Sequence, residues 1–458
     1  MALIVAGTGG PQADQCWTYD ELAGWADELA CLLLDQGLAK GQLVAVAERP
    51  GVGLVLMQHA LARVGAGLLP VRAGGGVPDW GPLAAVTGAE WVWQWGDAVS
   101  GRLSPLDSGR AGGVAGSPPA CAASWPSPLA LVVETSGSTG RPRAAMLSQG
   151  NLLAAATLSN RHLGLGAGDC WLNCLPLRYI GGLSITYRCA LAGARLLLHS
   201  GFDAGAVAAD LEARRVTHIS LVPPMLQRLL ALGRPPPALL RVVLVGGQSL
   251  STPLARQAIT AGWPLHVTYG MTETASQVAT TDCLVVPPAP GEVGRPLAGL
   301  EVDCPQGASG PLPLRIRGPV VMAGYANPGR LPGLGLVDGW FTTSDLARLG
   351  PDGGLCILGR ADEVLVTGGV NVHPGRVESL LAGVPGVGAV AVVGIDDPVW
   401  GQRLVALYTG EATPVDLDGW CRANLSGPER PRWFRHLAEL PLLESGKLDR
   451  CQLRDLAG

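Results

Sequence analysis

A loop rich in hydroxyl groups and glycine is the segment of this sequence best suited to binding phosphate. It occupies residues 135–143, reads Thr-Ser-Gly-Ser-Thr-Gly-Arg-Pro-Arg, and follows an apolar run at 129–133. Backbone N–H groups and hydroxyls in such a loop can surround phosphate oxygens, and glycine lets the chain approach closely. The spacing differs from a Walker A loop, which has four residues between its glycines and then Lys before Ser or Thr. The sequence therefore predicts a phosphate-binding loop, with an exposed Ser/Gly turn as the alternative.

A carboxylate surrounded by hydroxyl groups follows a second apolar run. Residues 269–274 read Tyr-Gly-Met-Thr-Glu-Thr and come directly after the apolar residues 265–268. A carboxylate in this setting suits Mg²⁺, which proteins hold through one or two carboxylates together with the phosphates of a substrate. Glu273 is therefore a candidate metal ligand. The alternative is the start of a helix, with Thr272 as its cap and Glu273 favoured by the helix dipole.

Asp345 and Arg360, fifteen residues apart, form a third candidate site. A carboxylate can accept two hydrogen bonds from the diol of a ribose, and a nearby guanidinium can strengthen such a site. The sequence thus predicts a site for a sugar diol. The alternative is a surface turn with a loose ion pair, which contributes less than about 1 kcal/mol to stability.

Lys447 stands out because lysine is rare in this chain. Of the 33 basic residues two are lysine, Lys40 and Lys447, and the other 31 are arginine. Lys447 follows a glycine within residues 444–450, Glu-Ser-Gly-Lys-Leu-Asp-Arg. A flexible lysine can bring a compact positive charge to a developing oxyanion. The alternative is an exposed lysine in the C-terminal tail.

Composition limits the classes of protein that can carry these segments. The chain has 458 residues, more than one hydrophobic core usually accommodates, so we expect at least two domains. Hydrophobic residues make up 48% and charged residues 15%, which excludes a disordered chain. A net charge of −4 favours neither a nucleic-acid partner nor a membrane surface.

The sequence also predicts the compartment. It contains no run of eighteen apolar residues and no basic segment ahead of its first apolar stretch, so we expect neither a membrane span nor a signal peptide. The 11 cysteines are odd in number and scattered. This pattern favours free thiols over disulfides or a zinc site, and it predicts a cytoplasmic protein.

Alternating helices and strands are predicted to position the candidate residues. Apolar residues at helical spacing predict helices at 18–34, 54–64 and 149–162. Apolar runs that end at turns rich in Gly, Pro or hydroxyl groups predict strands at 216–222, 240–245 and 265–268. Strands that alternate with helices form parallel sheets, and the carboxyl ends of such strands share one edge. We therefore expect one ligand-binding edge, and we expect residues 99–128 to form a surface loop.

The predicted fold class is α/β, with a large N-terminal domain of mixed or parallel sheets and helices and a small, mobile C-terminal α+β domain. The last hundred residues have their own pattern, with a short helix near 377–381 and an apolar strand at 386–394. We place the two domains at residues 1–360 and 361–458.

Taken in order, the four segments resemble the motifs of one protein family. Residues 135–143, 269–274, 344–363 and 445–450 are similar to those of the adenylate-forming superfamily, which includes acyl- and aryl-CoA synthetases, luciferases and the adenylation domains of peptide synthetases. The resemblance implies a C-terminal domain hinged near Asp362 and an active site between the domains. It also implies ATP, Mg²⁺ and coenzyme A: an acid and ATP give acyl-AMP and pyrophosphate, and a thiol then displaces AMP.

The resemblance further implies roles for individual residues. Nucleotide contacts are implied for Thr135, Ser136, Gly137, Ser138, Thr139, Gly140, Arg143, Gly246, Gly247, Tyr269, Asp345 and Arg360. Thr272 would contact the α-phosphate, and Glu273 would hold Mg²⁺. Lys447 would bridge the acid and the α-phosphate during adenylation. Gly368 and Gly369 would approach the thiol after the C-terminal domain rotates.

Two positions depart from the pattern of the family. Arg143 stands where the phosphate loop usually ends in lysine, and Ser344 replaces the usual glycine ahead of Asp345. Because this chain uses arginine almost everywhere, we interpret Arg143 as a replacement that keeps the charge but changes the geometry of the donor.

Two further segments indicate which acid is activated. Residues 175–184 and 272–278 are similar to the o-succinylbenzoate–CoA ligase branch, which serves menaquinone and phylloquinone biosynthesis. That substrate is an aromatic dicarboxylate, so its unreactive carboxylate needs a partner, for which Arg188 is the first candidate and Arg178 a weaker one. The alternative for Arg188 is an arginine on a helix surface. The candidates for lining the acid pocket are Tyr179, Ser276 and Gln277.

Other functions remain as alternatives at this point. One is another aryl- or medium-chain acyl-CoA synthetase. A second is a catalytically inactive homologue that binds nucleotide, against which the retained Lys447 and Glu273 argue. In each case the expected partner is a small carboxylic acid, not a nucleic acid, and the oligomeric state is left open, with a homodimer as one alternative.

Overall fold

The computed structural model describes residues 2–6, 15–49, 51–72, 81–96, 100–106, 127–135, 143–307, 310–443 and 446–458. Most of the predicted phosphate loop lies outside the described residues. The loop residues concerned are Ser136, Gly137, Ser138, Thr139 and Gly140. Thr135 and Arg143, at the two ends of the loop, are described.

Helices and strands alternate along most of the chain, as the apolar periodicity predicts. The helices are α1 (Tyr19–Asp35), α2 (Gly53–Val64), α3 (Gly81–Thr87), α4 (Gln149–Leu163), α5 (Ile180–Ala192), α6 (Ala204–Ala213), α7 (Pro223–Leu230), α8 (Thr252–Thr260), α9 (Pro374–Leu381), α10 (Pro414–Asn424) and α11 (Arg450–Ala457). The strands up to the end of the phosphate loop are β1 (Leu3–Val5), β2 (Gln15–Trp17), β3 (Leu43–Ala47), β4 (Gly67–Val71), β5 (Trp91–Trp95), β6 (Gly101–Pro105), β7 (Leu129–Thr135) and β8 (Arg143–Ser148). The next strands are β9 (Cys170–Asn173), β10 (Arg195–Leu198), β11 (His218–Leu221), β12 (Val242–Val245), β13 (Leu265–Met271), β14 (Ser276–Thr280), β15 (Arg295–Pro296), β16 (Glu301–Asp303), β17 (Gln306–Gly307) and β18 (Gly310–Pro311). The last strands are β19 (Pro313–Arg317), β20 (Gly324–Tyr325), β21 (Leu336–Val337), β22 (Trp340–Leu349), β23 (Leu355–Arg360), β24 (Leu365–Thr367), β25 (Val370–Val372), β26 (Val387–Asp397), β27 (Gly401–Gly410) and β28 (Trp433–His436).

The first large sheet contains the predicted ligand-binding edge. In the described residues its nine strands run in the order β15-β14-β13-β12-β11-β9-β10-β1-β2. The neighbours β11, β12 and β13 are parallel, so their carboxyl ends meet at one edge. The turns that follow these strands begin at Val222, Gly246 and Thr272. This confirms the prediction that three apolar strands bring separate motifs together.

The second large sheet supports the phosphate loop. Its strand order is β20-β8-β7-β4-β3-β5-β6, and β7 and β8 are antiparallel, with Thr135 opposite Arg143. Helix α4 begins directly after β8, and the Ser148 side chain accepts a hydrogen bond from the Asn151 N–H, as expected of its cap. One large apolar core joins the two sheets through helices such as α2 and α4.

The prediction of a surface loop at 99–128 is wrong in its first part. Strand β6 pairs in antiparallel register with β5, with Leu103 opposite Trp93 and buried. A Cβ atom at Gly101 would lie 2.3 Å from the Gln94 carbonyl oxygen, so this strand needs glycine where it approaches β5. Low periodicity and many small residues concealed the strand. Residues 107–126 lie outside the described part of the chain.

The C-terminal part folds on its own sheet, with the order β25-β24-β27-β26 and β28 beside β27. Separate apolar clusters cover its two faces, one beneath α9 and α10 and the other beneath α11. The predicted α/β class, with a large N-terminal domain and a smaller C-terminal one, is confirmed. The boundary at 360/361 and the mobility of the smaller domain stay predictions. Within the residues that the structure describes, no helix is long and apolar enough to cross a membrane.

Candidate active site

Asp345 and Arg360 are neighbours because they face each other across a hairpin. They occupy paired positions of the antiparallel strands β22 and β23. The Arg360 Nη1 atom lies 3.8 Å from Asp345 Oδ1, and the Tyr269 hydroxyl donates to Asp345 Oδ2 at 2.6 Å. The alternative of a surface turn is wrong, because the Asp345 side chain is only 14% exposed. We call these three residues the Asp345 corner.

Charge in the Asp345 corner is compensated by partners within the protein. Burial raises the pKa of Asp345, while the hydrogen bond from Tyr269 and the charge of Arg360 lower it. Burial and the adjacent Asp345 raise the pKa of Tyr269 well above its usual value, so its hydroxyl keeps its proton and donates. Arg360 also donates from Nε and Nη2 to Asp362, at 2.8 and 2.6 Å.

Glu273 lies in a single 3₁₀ turn and not at the start of an α-helix. The turn, Thr272–Thr274, joins the antiparallel strands β13 and β14, and the structure gives Thr272 no capping bond. Close pairing of the two strands requires Gly270, since a Cβ there would lie 1.7 Å from the Ser276 carbonyl oxygen. The helix-start alternative for this motif is therefore wrong, and the turn presents Glu273 beyond the end of β13.

Tyr325 holds the Glu273 carboxylate, and the sequence analysis did not identify it. Its hydroxyl donates to Glu273 Oε1 at 2.9 Å, and the Arg143 guanidinium lies 5.5 Å from the centre of its ring. Burial and the charge of Glu273 raise the pKa of Tyr325. Tyr325 belongs to the two-residue strand β20, which is too short to give a periodic signal. The end of the phosphate loop and the candidate metal ligand therefore meet on one aromatic ring.

The donors near Glu273 fit a magnesium ion that shares its coordination with phosphate groups. The described residues contain no group of three or more His, Cys, Asp or Glu side chains that could hold a metal. A protein cage for Ca²⁺ or Zn²⁺ would need such a group, whereas Mg²⁺ is commonly held by one or two carboxylates and substrate phosphates. Glu273, which shares Tyr325 with Arg143 at the end of the phosphate loop, matches that second pattern.

Lys447 enters the same region from the C-terminal domain. Its Cε atom lies 3.9 Å from the position that a Cβ of Gly247 would take, and the Gln248 amide donates to the Gly446 carbonyl at 2.5 Å. Gly247 has φ +79°, a conformation that favours glycine. Gly246 is equally constrained, since a Cβ there would lie 2.6 Å from Thr268 Cγ2.

The Lys447 side chain is exposed to solvent, as the alternative of a tail lysine expects, but charged side chains of both domains lie around its amine. Partial burial lowers the pKa of Lys447. The charge of Arg360 lowers the pKa further, whereas Glu273 and Asp345 oppose that shift. The motifs that contain Glu273, Asp345 and Lys447 therefore lie around one cleft, which we call the active-site cleft.

Arg188 is buried within the N-terminal domain, so the alternative of a helix-surface arginine is wrong. It lies on α5, is 2% exposed, and donates from Nη2 to Ser276 Oγ at 2.8 Å. Its guanidinium lies 5.2 Å from the centre of the Trp171 ring, and its Nε has no hydrogen-bond partner among the described residues. Burial lowers the pKa of Arg188 to about 10, so it stays charged at neutral pH. We call these residues the Arg188 pocket.

The backbone beside the Arg188 pocket is strained. Ala275 has φ +50° and Ser276 has φ +117°, in a region that residues with side chains rarely occupy. Such strain persists where the surroundings enforce it, and it is common at functional sites. The strain places the Ser276 hydroxyl against Arg188.

The other residues predicted to line the acid pocket have partners in the protein. Arg178 donates to Glu48 at 2.8 Å and to the Tyr179 hydroxyl at 3.1 Å, and it stacks 4.5 Å from the centre of the Tyr179 ring. Gln277 is buried and donates to Thr280 Oγ1 at 2.7 Å. The ion pair with Glu48 makes Arg178 the less available cation, which agrees with its rank as the weaker candidate.

Gly368 and Gly369 form the tight turn between β24 and β25. Both have positive φ, +57° and +77°, as a two-residue hairpin turn requires. A Cβ at Gly368 would lie 2.8 Å from the Trp400 ring, whereas none of the described heavy atoms lies within 4 Å of a Cβ at Gly369. This geometry gives an open backbone turn on the C-terminal domain, and its role toward a thiol stays a prediction.

Comparison with known protein families covers most of the chain. The family described as AMP-binding enzyme matches residues 2–326, and the AMP-binding enzyme C-terminal domain matches residues 376–447. A 2-succinylbenzoate–CoA ligase of Bacillus cereus is 33% identical over 443 residues, which cover 92% of this chain and 89% of that protein. A protein of the same name from Bacillus mycoides is 32% identical over 447 residues, which cover 92% of this chain and 89% of that protein.

Solved structures extend this similarity to the whole fold. The o-succinylbenzoate CoA synthetase (MenE) from Bacillus subtilis, in complex with the acyl-adenylate intermediate OSB-AMP, superposes with a TM-score of 0.81 at 26% identity. The match covers 99% of this chain and 95% of that one. The same enzyme in complex with ATP and a magnesium ion has a TM-score of 0.81 and 26% identity, and the match covers 100% and 96% of the two chains. From the family matches and the identity over nine tenths of its length, the chain belongs to the AMP-binding enzyme family.

Proposed function

We propose that this chain is an ATP-dependent, AMP-forming ligase that joins o-succinylbenzoate to coenzyme A in menaquinone or phylloquinone biosynthesis. Its similarity to 2-succinylbenzoate–CoA ligases over nine tenths of the chain supports the reaction. The observation that carries the choice of acid is Arg188, a buried guanidinium that meets a single hydroxyl group among the described residues. A second carboxylate on the substrate is the partner that this cation lacks.

In the first half-reaction, an oxygen of the substrate carboxylate forms a bond to the α-phosphorus of ATP. The bond from that phosphorus to the bridging oxygen breaks, and pyrophosphate leaves with the electron pair. Both reactants are anions, so the step needs positive charge between them. Lys447 supplies an ammonium group there, and Thr272 contributes its hydroxyl. Mg²⁺ held by Glu273 would neutralise phosphate charge during the step.

The nucleotide is held by groups at the ends of strands. The two oxygens of Asp345 can accept hydrogen bonds from the ribose diol, and Arg360 fixes the orientation of that carboxylate. The backbones of Gly246 and Gly247 and the ring of Tyr269 flank the adenine in this proposal. Thr135 and Arg143 lie at the ends of the loop that would bind the β- and γ-phosphates.

In the second half-reaction, the sulfur of coenzyme A forms a bond to the acyl carbonyl carbon and the thiol proton passes to solvent. The bond from that carbon to the phosphate oxygen breaks, and AMP leaves with the electron pair. Lys447 fills the approach to that carbon while it serves the first step, so the two steps call for different placements of its domain. We propose that the C-terminal domain turns about a hinge near Asp362. The open turn at Gly368 and Gly369 then approaches the thiol.

The location of the protein is part of the proposal. The described cysteines are free thiols, which suits the reducing conditions of the cytoplasm. ATP and coenzyme A are abundant in that compartment. Fractionation of cells that express the chain with a small tag would test the location, and recovery in a membrane or secreted fraction would contradict it.

A panel of acids tests the proposed function. Release of AMP and pyrophosphate is measured with ATP, Mg²⁺ and coenzyme A for o-succinylbenzoate, benzoate, medium-chain fatty acids and an analogue of o-succinylbenzoate without the distal carboxylate. We expect o-succinylbenzoate to have the highest kcat/KM and the analogue to lose about a hundredfold, because Arg188 would then stay unpaired. A tenfold advantage for benzoate or a fatty acid would contradict the choice of acid. Absence of AMP with every acid would show an inactive homologue.

A further inference from the structure

One hydrogen bond crosses from the large domain to the residue next to Lys447. The side-chain amide of Gln248 donates to the Gly446 carbonyl oxygen at 2.5 Å. Gln248 follows the Gly246-Gly247 turn at the end of β12, and 198 residues separate it from Gly446. The contact therefore joins the ligand-binding edge of the parallel sheet to the segment that carries the catalytic lysine.

The segment around Gly446 is shaped to accept this bond. Gly446 has φ +77°, and a Cβ at this position would lie 2.8 Å from Val222 Cγ2, so the backbone rests directly on the turn after β11. The Leu443 N–H donates to the Lys447 carbonyl at 2.7 Å, and the Gly446 N–H donates to the Leu443 carbonyl at 2.8 Å. These two bonds tie Gly446 and Lys447 to Leu443, and the Gly446 carbonyl accepts the bond from Gln248.

The amine of Lys447 extends from this segment among charges of both signs. Burial and the positive charge of Arg360 disfavour the charged amine, whereas Glu273, Asp345 and Glu363 favour it. Its stem has few constraints of its own, since solvent reaches the side chain. A bond to the preceding carbonyl fixes the backbone from which the flexible lysine extends, which limits the entropy lost when the amine reaches the reacting atoms.

We propose that Gln248 is a positioning residue for Lys447, one that holds the lysine segment in the active-site cleft during acyl-adenylate formation and has no part in thiolysis. The role in adenylation rests on the function proposed above. Gln248 touches neither acid nor nucleotide in this role. It acts through the Gly446 carbonyl.

The two half-reactions separate this role from a general structural one. Gln248→Ala removes the donor, and we expect acyl-adenylate formation in single turnover to slow about threefold to tenfold, the effect of one lost hydrogen bond. Thiolysis of supplied acyl-adenylate should stay within about twofold of the unmodified protein. Gln248→Glu should slow adenylation at least as much, because a carboxylate cannot donate to the carbonyl. Gln257→Ala, on the exposed face of α8, is the matched control and should change neither step. Equal slowing of both steps would overturn the proposal.

A second readout uses the rarity of lysine and needs no acid or ATP. A lysine-specific endoprotease can cut this chain at two sites, after Lys40 and after Lys447. We expect Gln248→Ala to raise the rate of cleavage after Lys447 several-fold, because the segment leaves the cleft more often. Cleavage after the exposed Lys40 is the internal reference and should not change. An unchanged ratio of the two rates would overturn the proposal even if adenylation of every acid failed, so the two failures are distinguishable.

Discussion

The Asp345 corner and the Arg188 pocket differ in whether their buried charged side chain has a partner of opposite charge. In the Asp345 corner, the carboxylate receives a hydrogen bond from Tyr269 and faces Arg360, which is itself bound to Asp362. In the Arg188 pocket, a guanidinium with 2% exposure meets one hydroxyl group and an aromatic ring, and its Nε lacks a partner among the described residues. The first site is complete in the protein alone, and the second is not.

This difference indicates what each site was selected to bind. A charged side chain that is paired within the protein can keep its position with or without a ligand. This suits a nucleotide-binding site, which is needed whichever acid is activated. An uncompensated buried cation costs several kcal/mol, and a protein gains nothing for its stability by keeping one. Such a cation is explained by a ligand that brings the missing anion. In the function proposed here, the Arg188 pocket would determine selectivity for the acid, and the Asp345 corner would hold the nucleotide.

Lys447→Ala is expected to have the largest effect on the rate of adenylation. It removes the cation that the C-terminal domain places in the active-site cleft near Asp345. Adenylation should fall about a thousandfold, as expected when a donor aimed at developing charge is lost. Thiolysis of supplied acyl-adenylate should change by only a few-fold. Single-turnover measurement of each step checks this, with Lys40→Ala as the matched control. Equal losses in the two steps would contradict the assigned role.

Arg188→Met tests the contrast between the two sites directly. We expect KM for o-succinylbenzoate to rise about a hundredfold, because the distal carboxylate loses its buried partner. The melting temperature should stay the same or rise, since an unpaired buried charge is replaced by an apolar side chain of similar length. Thermal unfolding and steady-state kinetics provide both values, and Arg161→Met on the exposed part of α4 is the control. A marked fall in melting temperature would show that Arg188 is a structural residue.

Tyr269→Phe, in the Asp345 corner, should give the smallest change in kinetics of the three substitutions. Asp345 loses a donor that lowers its pKa, so that pKa, already raised by burial, rises further. We expect KM for ATP to increase about threefold to tenfold and the acidic limb of its pH profile to move to higher pH, because Asp345 must be ionised to accept from ribose. Tyr19→Phe removes a hydroxyl that donates to the carbonyl groups of Cys189 and Ala194 and does not contact Asp345, so it should leave the pH profile unchanged. An unshifted profile in Tyr269→Phe would contradict the assignment.

The features that could be predicted from the sequence are those that depend on residues close together in the chain. Helix α1 forms where a helix is predicted at 18–34 and begins at the capping box of Thr18 and Glu21, and the apolar runs at β11, β12 and β13 form the expected parallel edge. Asp345 and Arg360 were paired correctly, because a short hairpin joins them. The capping box and the hairpin depend on contacts within one turn or one hairpin of the chain. The parallel strands pair across intervening helices, and each was predicted from the apolar run within its own segment.

The features that were missed depend on residues far apart in the chain. Tyr325 binds Glu273 across 52 residues, and Gln248 binds Gly446 across 198. Strand β6 has so little periodicity that only its pairing with β5 identifies it. Neither kind of contact leaves a pattern in the sequence around either partner, so a single sequence gives no means of finding it.

The order of the motifs, the spacing of apolar residues and the presence of Lys447 in a chain with 31 arginines were enough to predict the fold class, the family and a chemistry of adenylation. Packing in three dimensions decided the rest: that Arg188 is buried with no carboxylate partner among the described residues, that Ser276 is held against it, and that Lys447 lies beside Gly247. The physical reason is that burial and pairing belong to surfaces assembled from distant segments. Periodicity and turn chemistry, in contrast, are properties of each segment alone.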